Sequence, residues 1–375
     1  MKISLLGTAY PFRGGLAAYN ERLIKEFLNE GHEAKIETFT LQYPSFLFPG
    51  KTQMADWEAP TDIEIQQSVN SVNPLNWIKI GRKIKKDRPD ILIIKYWLPF
   101  MAPCFGTIAR IAKSNKHTKV IAILDNIIPH EPRIGDRQFS KYFVGAIDAF
   151  VAMSQSVLDD LTLFDRKKPI ALNPHPLFDN FGSSVPKQEA TQYLKLDSNK
   201  KYLLFFGLIR DYKGLDWLIE AFQKIQNKPE LNLLIAGEFY SNPEPYLKQI
   251  EESGLKDKII LHQKFIPDPE VKYYFSVADL VVQPYKTATQ SGVTQIAYHF
   301  EKPMVVTNVG GLAEIIPDGR VGFVVDTKPQ AIAEAIDAFY DKNLQEPFHS
   351  SILAEKEKYS WSGMTKTILD LYHQL

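Results

Sequence analysis

The sequence has little of what would tie a protein to an extracellular or membrane setting. Of its 375 residues only Cys104 is a cysteine, so no internal disulfide can form, which favours a reducing compartment. The longest uncharged, apolar-rich stretch, residues 96–109, contains two prolines and is too short to span a bilayer. No secretion signal is visible, because residues 1–6 lead at once into a turn at residues 10–15. We therefore expect a soluble protein of the cytoplasm.

The chain also lacks an excess of charge of either sign. Lysine plus arginine and aspartate plus glutamate number 44 each, so no overall field favours nucleic acid or an acidic membrane surface. Any anion site must be local. The chain has no D-x-D pair and no His/Cys spacing typical of a metal site. Gly7, Gly14 and Gly15 do not form the G-x-G-x-x-G of a nicotinamide site, so we expect neither metal nor cofactor.

Short apolar runs of strand length alternate with amphipathic helical segments. Alternation of nearly continuous apolar strands with helices predicts the α/β class, with parallel sheets covered on both faces. The predicted strands are residues 3–6, 34–39, 91–95, 120–124 and 149–153, and then 202–206, 231–236, 259–261, 280–282, 304–307 and 322–325. The clearest predicted helices are residues 17–29, 78–86, 154–164, 216–226 and 331–341.

A segment rich in proline, glycine and small polar residues, 173–187, interrupts this alternation. We predict two Rossmann-like, doubly wound domains that face a cleft. The first comprises residues 1–176, a linker comprises 177–198, and the second domain comprises 199–359. Ligands of such folds bind outside the carboxyl ends of the strands, so motifs that directly follow strands are the candidates for function.

The most informative motif is F-F-G-L-I-R-D-Y-K-G at residues 205–214, where an apolar strand enters a glycine turn that carries Arg210 and Lys213. Backbone N–H groups and the positive end of a helix dipole meet at such a turn. Two cations at the same place suit a ligand with more than one negative charge, such as a diphosphate. The alternative is a solvated loop with ordinary surface charges.

Two motifs in the first half also follow predicted strands. Gly14 and Gly15 open a helix, where the backbone can approach a ligand closely and the helix N-terminus favours an anion. The alternative is a tight strand-to-helix turn. Asp125 and His130 lie within one strand-end loop and are typical of acid–base or hydroxyl-binding groups, although such a histidine can also serve only to hydrogen-bond the structure.

With these motifs, the chain resembles the retaining, nucleotide-sugar-dependent glycosyltransferases of the GT-B type, in the group often called family 4. The resemblance covers nearly the whole length and is strongest in residues 207–222 and 273–314, which end in G-G-L-A-E. It implies transfer of a hexose from a UDP- or GDP-sugar to a hydroxyl of a glycan or lipid-linked acceptor, in glycan or cell-envelope polysaccharide biosynthesis. It also implies that a final helix, residues 360–375, crosses back to the first domain.

The resemblance assigns roles to the motif residues. Arg210 and Lys213 would hold the donor diphosphate, although the family's arginine usually follows the glycine directly, where this chain has Leu208. The loop with Gly14 and Gly15 would lie over the donor phosphates and sugar. Many family members carry a histidine where Asp125 stands, so we expect Asp125 to bind a sugar hydroxyl and His130 to bind acceptor or donor phosphate.

One family feature is missing. The family usually has two glutamates separated by seven residues, and these positions are Ala288 and Ile296 here. We predict that the neighbouring residues replace them at the donor: the side-chain amides of Gln290 and Gln295, and the backbone N–H groups of Ser291 and Gly292. The alternative is an N-cap followed by a polar first helical turn.

Two further positions in the second half of the chain are candidates, Glu238 from its place after a strand and Phe265 from the resemblance. Glu238 follows a strand end and is predicted to bind donor hydroxyls, with a solvated loop residue as the alternative. Phe265 lies where such enzymes often hold the base through backbone groups.

Three questions stay open at this level. The missing glutamates leave a protein that binds nucleotide sugars without turnover as one alternative to the transferase, and a sugar-nucleotide epimerase as another. Basic residues at 79–86 suit weak peripheral contact with anionic lipid, but a solvated helix face is the alternative there.

Overall fold

The computed structural model describes residues 1–44, 53–55, 58–129, 133–225, 228–288 and 291–375. This part of the chain divides into two compact units. The first unit comprises Met1–Pro176 together with Ser360–Leu375, and the second comprises Leu177–Tyr359. Each unit contains one parallel sheet with helices in the connections. The predicted α/β class with two Rossmann-like parallel-sheet domains is confirmed.

The first unit contains a sheet of seven strands within the described residues, in the spatial order 3-2-1-4-5-6-7 of the strands as numbered below. Its strands are β1 (Lys2–Leu6), β2 (Glu33–Leu41), β3 (Glu64–Asn70), β4 (Ile91–Tyr96), β5 (Lys119–Leu124), β6 (Ala149–Ala152) and β7 (Ile170–Leu172). Its helices are α1 (Gly15–Asn29), α2 (Pro74–Asp87), α3 (Ala102–Lys113), α4 (Asp136–Val144), α5 (Gln155–Thr162) and the C-terminal α14 (Trp361–His373).

The second unit repeats this plan with six strands in its described residues, in the spatial order 10-9-8-11-12-13. Its strands are β8 (Lys201–Phe206), β9 (Leu231–Ala236), β10 (Ile259–His262), β11 (Leu280–Gln283), β12 (Met304–Thr307) and β13 (Gly322–Val325). Its helices are α6 (Lys187–Leu194), α7 (Leu215–Lys224), α8 (Glu244–Glu252), α9 (Asp268–Val277), α10 (Gly292–His299), α11 (Gly310–Glu314), α12 (Pro329–Asp341) and α13 (Gln345–Glu355).

The central strands follow directly from their composition. β4 (I-L-I-I-K-Y) and β9 (L-N-L-L-I-A) are buried along their whole length. Residues with bulky apolar side chains pack against helices on both faces of a parallel sheet, where a strand with one polar face would leave buried groups without partners. This pattern makes the strand assignments clear and places each strand's last residue at the same edge of its sheet.

Edge elements and one helix differ from the expectation. β3 (E-I-Q-Q-S-V-N) lies at the edge of the sheet and pairs only with β2. Because an edge strand is partly exposed, its sequence can be polar, and it lacks the apolar run that identifies an internal strand. β7 is likewise at an edge of the sheet. Residues 177–198, predicted as a linker, lie in the second unit and contain α6.

The C-terminal helix α14 packs in the first unit, against α1 and against strands β5, β6 and β7. The Thr365 hydroxyl donates to the Glu30 carboxylate over 2.6 Å, and the Asn173 amide donates to the Thr367 hydroxyl over 2.8 Å. The Trp361 ring packs against the Tyr19 ring at a tilt of 59°, with 5.0 Å between the centroids. Among the helices that the structure describes, none has both the length and the apolar character needed to cross a membrane.

A buried carboxylate ties α2 to the sheet. Glu37 of β2 has a side chain with no exposure to solvent. It accepts hydrogen bonds from the Lys83 ammonium over 2.6 Å and from the Ser68 hydroxyl over 2.5 Å. Lys83 therefore faces the sheet, unlike Lys86 of the same helix, which is exposed.

Replacement of Lys83 by methionine is expected to destabilise the protein by about 1–3 kcal/mol, because it leaves the buried Glu37 carboxylate with weaker partners. Urea denaturation measures the change. The matched control is Lys86→Met, which is expected to alter the free energy of unfolding by less than about 0.5 kcal/mol. Equal stability of the two variants would contradict the inference.

Candidate functional site

The strand order of the second unit reverses between β8 and β11. The connections that leave these two strands run to opposite sides of the sheet, so their carboxyl ends border a crevice where doubly wound folds bind ligands. Residues 207–214 follow β8, and residues 284–291 follow β11. The predicted donor residues Arg210, Lys213, Ser291 and Gly292 therefore lie on loops that start at this crevice.

A glycine brings the two loops together. Gly214 has a φ of +67°, a conformation that L side chains rarely adopt, and a Cβ there would lie 2.0 Å from the Pro284 carbonyl oxygen. Any other residue would therefore both strain the backbone and clash. The close contact fixes the β8 loop against the segment that follows β11.

Lys213 is a buried cation at this junction. The residue is 9% exposed, and its ammonium lies 5.5 Å from the centroid of the Tyr285 ring. In the described part of the chain no carboxylate pairs with it within 4 Å. Burial, and then the positive charge of Arg210, lower the pKa of Lys213 to about 8. A desolvated cation without a counter-ion is costly, which is the signature of a site for an anion.

Arg210 is oriented by the neighbouring loop. The main chains of the β8 and β9 loops are joined by two hydrogen bonds, Ile209 N to Glu238 O over 2.8 Å and Tyr240 N to Ile209 O over 2.9 Å. The Arg210 guanidinium lies 5.3 Å from the centroid of the Tyr240 ring, within range of a cation–π interaction. Arg210, Lys213 and the buried Glu238 thus lie on adjoining loops.

Helix α10 directs its N-terminus to the same region. Its N-cap residue Ser291 does not cap the helix with its side chain. Instead, the Ser291 hydroxyl donates to Gln283 Oε1 over 2.7 Å, and the Thr294 hydroxyl donates to the same atom over 3.1 Å. The first-turn N–H groups are therefore not satisfied by a capping side chain, and with the helix dipole they favour an anion.

The amide of Gln295 lies beneath this surface. The residue is fully buried, and neither amide atom has a hydrogen-bond partner in the described residues. A donor hydroxyl reaches it only if the covering side chains move, so its donor-binding role stays a prediction. Ala288 and Ile296, at the positions of the family's glutamates, are buried as well.

Other predicted residues lie elsewhere or outside the described residues. Phe265 is half-buried in the loop after β10, two strands away from β8 in the sheet. Its contact with a base stays a prediction. His130 and Gln290 lie outside the described residues. Within those residues, no group of three or more His, Cys, Asp or Glu side chains converges as metal ligands would.

In the first unit the strand order reverses between β1 and β4, and the loop with Gly14 and Gly15 follows β1. The loop is held by the backbone N–H of Tyr10, which donates to the Glu21 carboxylate over 2.7 Å. Gly14 is the N-cap of α1 with a φ of +103°, which glycine adopts without strain. The predicted loop is therefore fixed at the ligand-binding edge of its sheet.

Asp125 follows β5 at the same edge and forms an ion pair that the sequence did not indicate. Its Oδ1 lies 2.8 Å from the ammonium of Lys95, the next-to-last residue of β4. The sequence also did not indicate the roles of two tyrosines, Tyr240, which contacts Arg210, and Tyr285, which contacts Lys213. The one available signal for Lys95 was a lysine within an otherwise apolar run.

Comparisons with known proteins connect this geometry to a family. Residues 200–342 match the family model of glycosyl transferases group 1. A D-inositol 3-phosphate glycosyltransferase of Paenarthrobacter aurescens is 30% identical over 179 residues, which are 46% of this chain and 44% of that protein. The chain thus matches less than half the length of this curated relative.

Two solved structures share the fold over the whole chain. Sucrose-phosphate synthase of Thermosynechococcus elongatus matches with a TM-score of 0.77 and 16% identity, over 100% of this chain and 99% of that one. Anabaena HepE, solved in complex with UDP-glucose, matches with a TM-score of 0.74 and 16% identity, over 100% of both chains. Together with the family match, these findings confirm the resemblance to glycosyltransferases inferred from the motifs.

UDP, used as a diphosphate probe of this candidate site, is expected to bind about 10-fold more weakly at pH 9 than at pH 7, because Lys213 loses its proton above about pH 8. A bound phosphate raises this pKa, so above pH 8 binding takes up a proton and becomes less favourable as the pH rises. Isothermal titration calorimetry measures the dissociation constant at each pH. The Lys213→Met variant is the control and is expected to bind weakly with no such dependence; a constant wild-type affinity would contradict the assignment.

Proposed function

We propose that this chain, whose residues 200–342 match the glycosyl transferases group 1 family, transfers a sugar from a nucleoside diphosphate sugar to a hydroxyl acceptor. The observation that carries the proposal is the buried ammonium of Lys213, next to Arg210 and without a carboxylate partner in the described residues. A diphosphate supplies the missing negative charge at this place. The N-terminus of α10 adds backbone donors for its oxygens.

Two of the protein's relatives support a sugar donor of this class. HepE has been solved with UDP and also with UDP-glucose, and the Paenarthrobacter relative is named as a glycosyltransferase. We therefore propose a UDP- or GDP-hexose as the donor. A glycan or lipid-linked acceptor in cell-envelope polysaccharide assembly, and a cytoplasmic location, belong to the same proposal.

The proposed chemistry is stabilisation of a departing diphosphate. Cleavage of the sugar–oxygen bond transfers negative charge to the leaving group, and prearranged positive groups lower the barrier to that step. Arg210, Lys213 and the α10 N-terminus carry out this role without a metal ion in our proposal. The acceptor proton passes to a donor phosphate oxygen, attack occurs on the same face, and the anomeric configuration is retained.

The first unit contributes groups for both the acceptor and the donor in this proposal. Asp125 accepts a hydrogen bond from a sugar or acceptor hydroxyl, and Gly14 and Gly15 allow the backbone to approach the donor phosphates and sugar. His130 is proposed to bind a phosphate. In the second unit, Glu238 is proposed to bind donor hydroxyls.

The matching donor is expected to raise the melting temperature in a thermal-shift screen of UDP- and GDP-sugars, because a ligand that binds only the folded state stabilises it. Lys213→Ala is expected to weaken binding of that donor by about 10- to 100-fold, which corresponds to the loss of one charge-assisted contact of about 1.4–2.7 kcal/mol. Its own melting temperature is expected to stay close to that of the wild type, because the substitution also removes a desolvated charge. Lys248→Ala, an exposed lysine of the same unit, is the control.

Product analysis with the selected donor then separates the alternatives. Formation of a glycosylated acceptor with retained anomeric configuration supports the transferase. Binding without turnover over a broad acceptor panel would instead favour a nucleotide-sugar-binding protein, and an epimerised nucleotide sugar without acceptor would favour an epimerase. Unchanged donor affinity in Lys213→Ala would reject the site itself.

We also propose weak peripheral contact of the first unit with anionic lipid through α2. Lys79, Arg82, Lys85 and Lys86 of this helix are exposed, and Leu75 near its start is 77% exposed. A helix face with several cations and an exposed apolar side chain suits an anionic interface. Lys83, part of the predicted basic cluster, pairs with Glu37 instead.

The triple variant Lys79→Gln/Arg82→Gln/Lys86→Gln is expected to reduce co-sedimentation with vesicles of 30% phosphatidylserine by at least about tenfold, since each cation contributes about 1 kcal/mol at such a surface. Vesicles of phosphatidylcholine alone are the lipid control.

Three exposed lysines of the second unit, Lys248, Lys256 and Lys328, provide the matched protein control when replaced by glutamine together. An equal loss of binding in both triple variants would indicate a general charge effect and would count against contact through α2.

A further inference from the structure

A lysine and an aspartate form a pair below the surface at the carboxyl ends of β4 and β5. Lys95 is 1% exposed, and its ammonium lies 2.8 Å from Asp125 Oδ1. The two strands pair in parallel from Ile91–Lys119 to Tyr96–Leu124. The backbone N–H of Asp125 continues this pattern by donating to the Tyr96 carbonyl oxygen over 2.9 Å. The sheet itself therefore sets the geometry of the pair.

The remaining surroundings of the ammonium are almost without charge. It lies 3.6 Å from the centroid of the Tyr19 ring and 3.6 Å from Met153 Sδ. The His175 ring packs on Tyr19 with 5.0 Å between centroids, and burial, followed by the charge of Lys95, lowers its pKa to about 3. Burial raises the pKa of Tyr19 well above its usual value. Near neutral pH both rings are uncharged, and Asp125 is the one carboxylate paired with Lys95 in the described residues.

The two partners differ in their access to solvent. The Lys95 side chain is 1% exposed, whereas the Asp125 side chain is 13% exposed. A substrate hydroxyl can therefore contact the carboxylate but not the ammonium. The position of Lys95 within I-L-I-I-K-Y would accept an apolar side chain without any desolvation cost, and buried ion pairs seldom add net stability over such a replacement. A structural role alone gives little reason for a lysine here.

We propose that Lys95 is a positioning residue, which holds the Asp125 carboxylate in one orientation so that it accepts a hydrogen bond from a hydroxyl of the sugar or acceptor. The ammonium holds Oδ1, and the exposed part of the carboxylate accepts from the substrate. The proposal rests on the proposed glycosyl transfer, which assigns Asp125 to the acceptor side. Lys95 acts only through Asp125 and makes no contact with substrate.

A double-mutant cycle separates this role from a purely structural one. Lys95→Met is expected to lower the melting temperature and to lower kcat by about 10- to 100-fold, the effect typical of losing a group that orients a functional side chain. UDP affinity is expected to change by less than about twofold, because neither Lys95 nor Asp125 is assigned to the diphosphate.

The double variant Lys95→Met/Asp125→Asn removes both charges. Its melting temperature is expected to recover toward the wild-type value, since no unpaired charge remains buried, while its kcat stays low. Recovery of kcat together with stability would overturn the proposal, because that result assigns the pair to folding alone.

A second lysine–aspartate pair of the same unit supplies the matched control. The Lys113 ammonium lies 2.7 Å from Asp148 Oδ1, and Asp148 accepts from the backbone N–H of Val120, at the amino ends of the strands. Lys113→Met is expected to lower the melting temperature with kcat within about twofold of wild type. An equal kcat loss in Lys113→Met and Lys95→Met would overturn the positioning role.

Failure of the proposed glycosyl transfer can be distinguished from failure of the role proposed for Lys95. A wild-type protein that binds UDP but turns over no donor would reject both ideas, whereas an active wild type with an equally active Lys95→Met would reject Lys95 alone.

Discussion

The desolvated ammonium of Lys213 is the feature on which the second unit's candidate site depends. Its burial follows from the reversal of strand order between β8 and β11 and from the contact of Gly214 with Pro284. Both constraints press the β8 loop onto the segment after β11, so the lysine side chain is covered rather than solvated. A cation placed there with no carboxylate partner among the described residues has a free-energy cost that a bound anion offsets. The positive charge of Arg210 increases both that cost and the attraction of the site for an anion.

Each unit has a buried lysine near the carboxyl ends of its strands, within β4 in the first unit and in the loop after β8 in the second, but the two lysines have different partners. In the first unit Lys95 has Asp125 as its partner, and the pair is satisfied without a ligand. In the second unit Lys213 has an aromatic ring and an arginine as neighbours. The first arrangement orients a side chain, whereas the second attracts a ligand. Burial of a charged group is therefore informative about function only when its partners are also known.

The sequence predicted the internal strands and the Arg210–Lys213 turn because both are local patterns. Apolar runs identify strands that are buried on both faces, and a strand, glycine and helix start define the turn within ten residues. It did not predict β3, whose polar edge lacks such a run. The Lys95–Asp125 pair was missed for another reason, since it depends on the register of two strands. The burial of Gln295 depends likewise on packing that no local pattern specifies.

In the second unit, where the family's two glutamates are absent, neutral hydrogen bonds hold the N-terminus of α10 in place. The amide of Gln283 accepts from the hydroxyls of Ser291 and Thr294 and so ties the first turn of α10 to β11. The Thr307 hydroxyl donates to the Tyr285 carbonyl oxygen over 2.6 Å and holds the next segment. These neutral bonds fix the helix N-terminus without adding negative charge near Lys213. We therefore expect recognition to depend more on the donor's diphosphate than on its sugar hydroxyls, since charge-assisted contacts are about twice as strong as neutral ones.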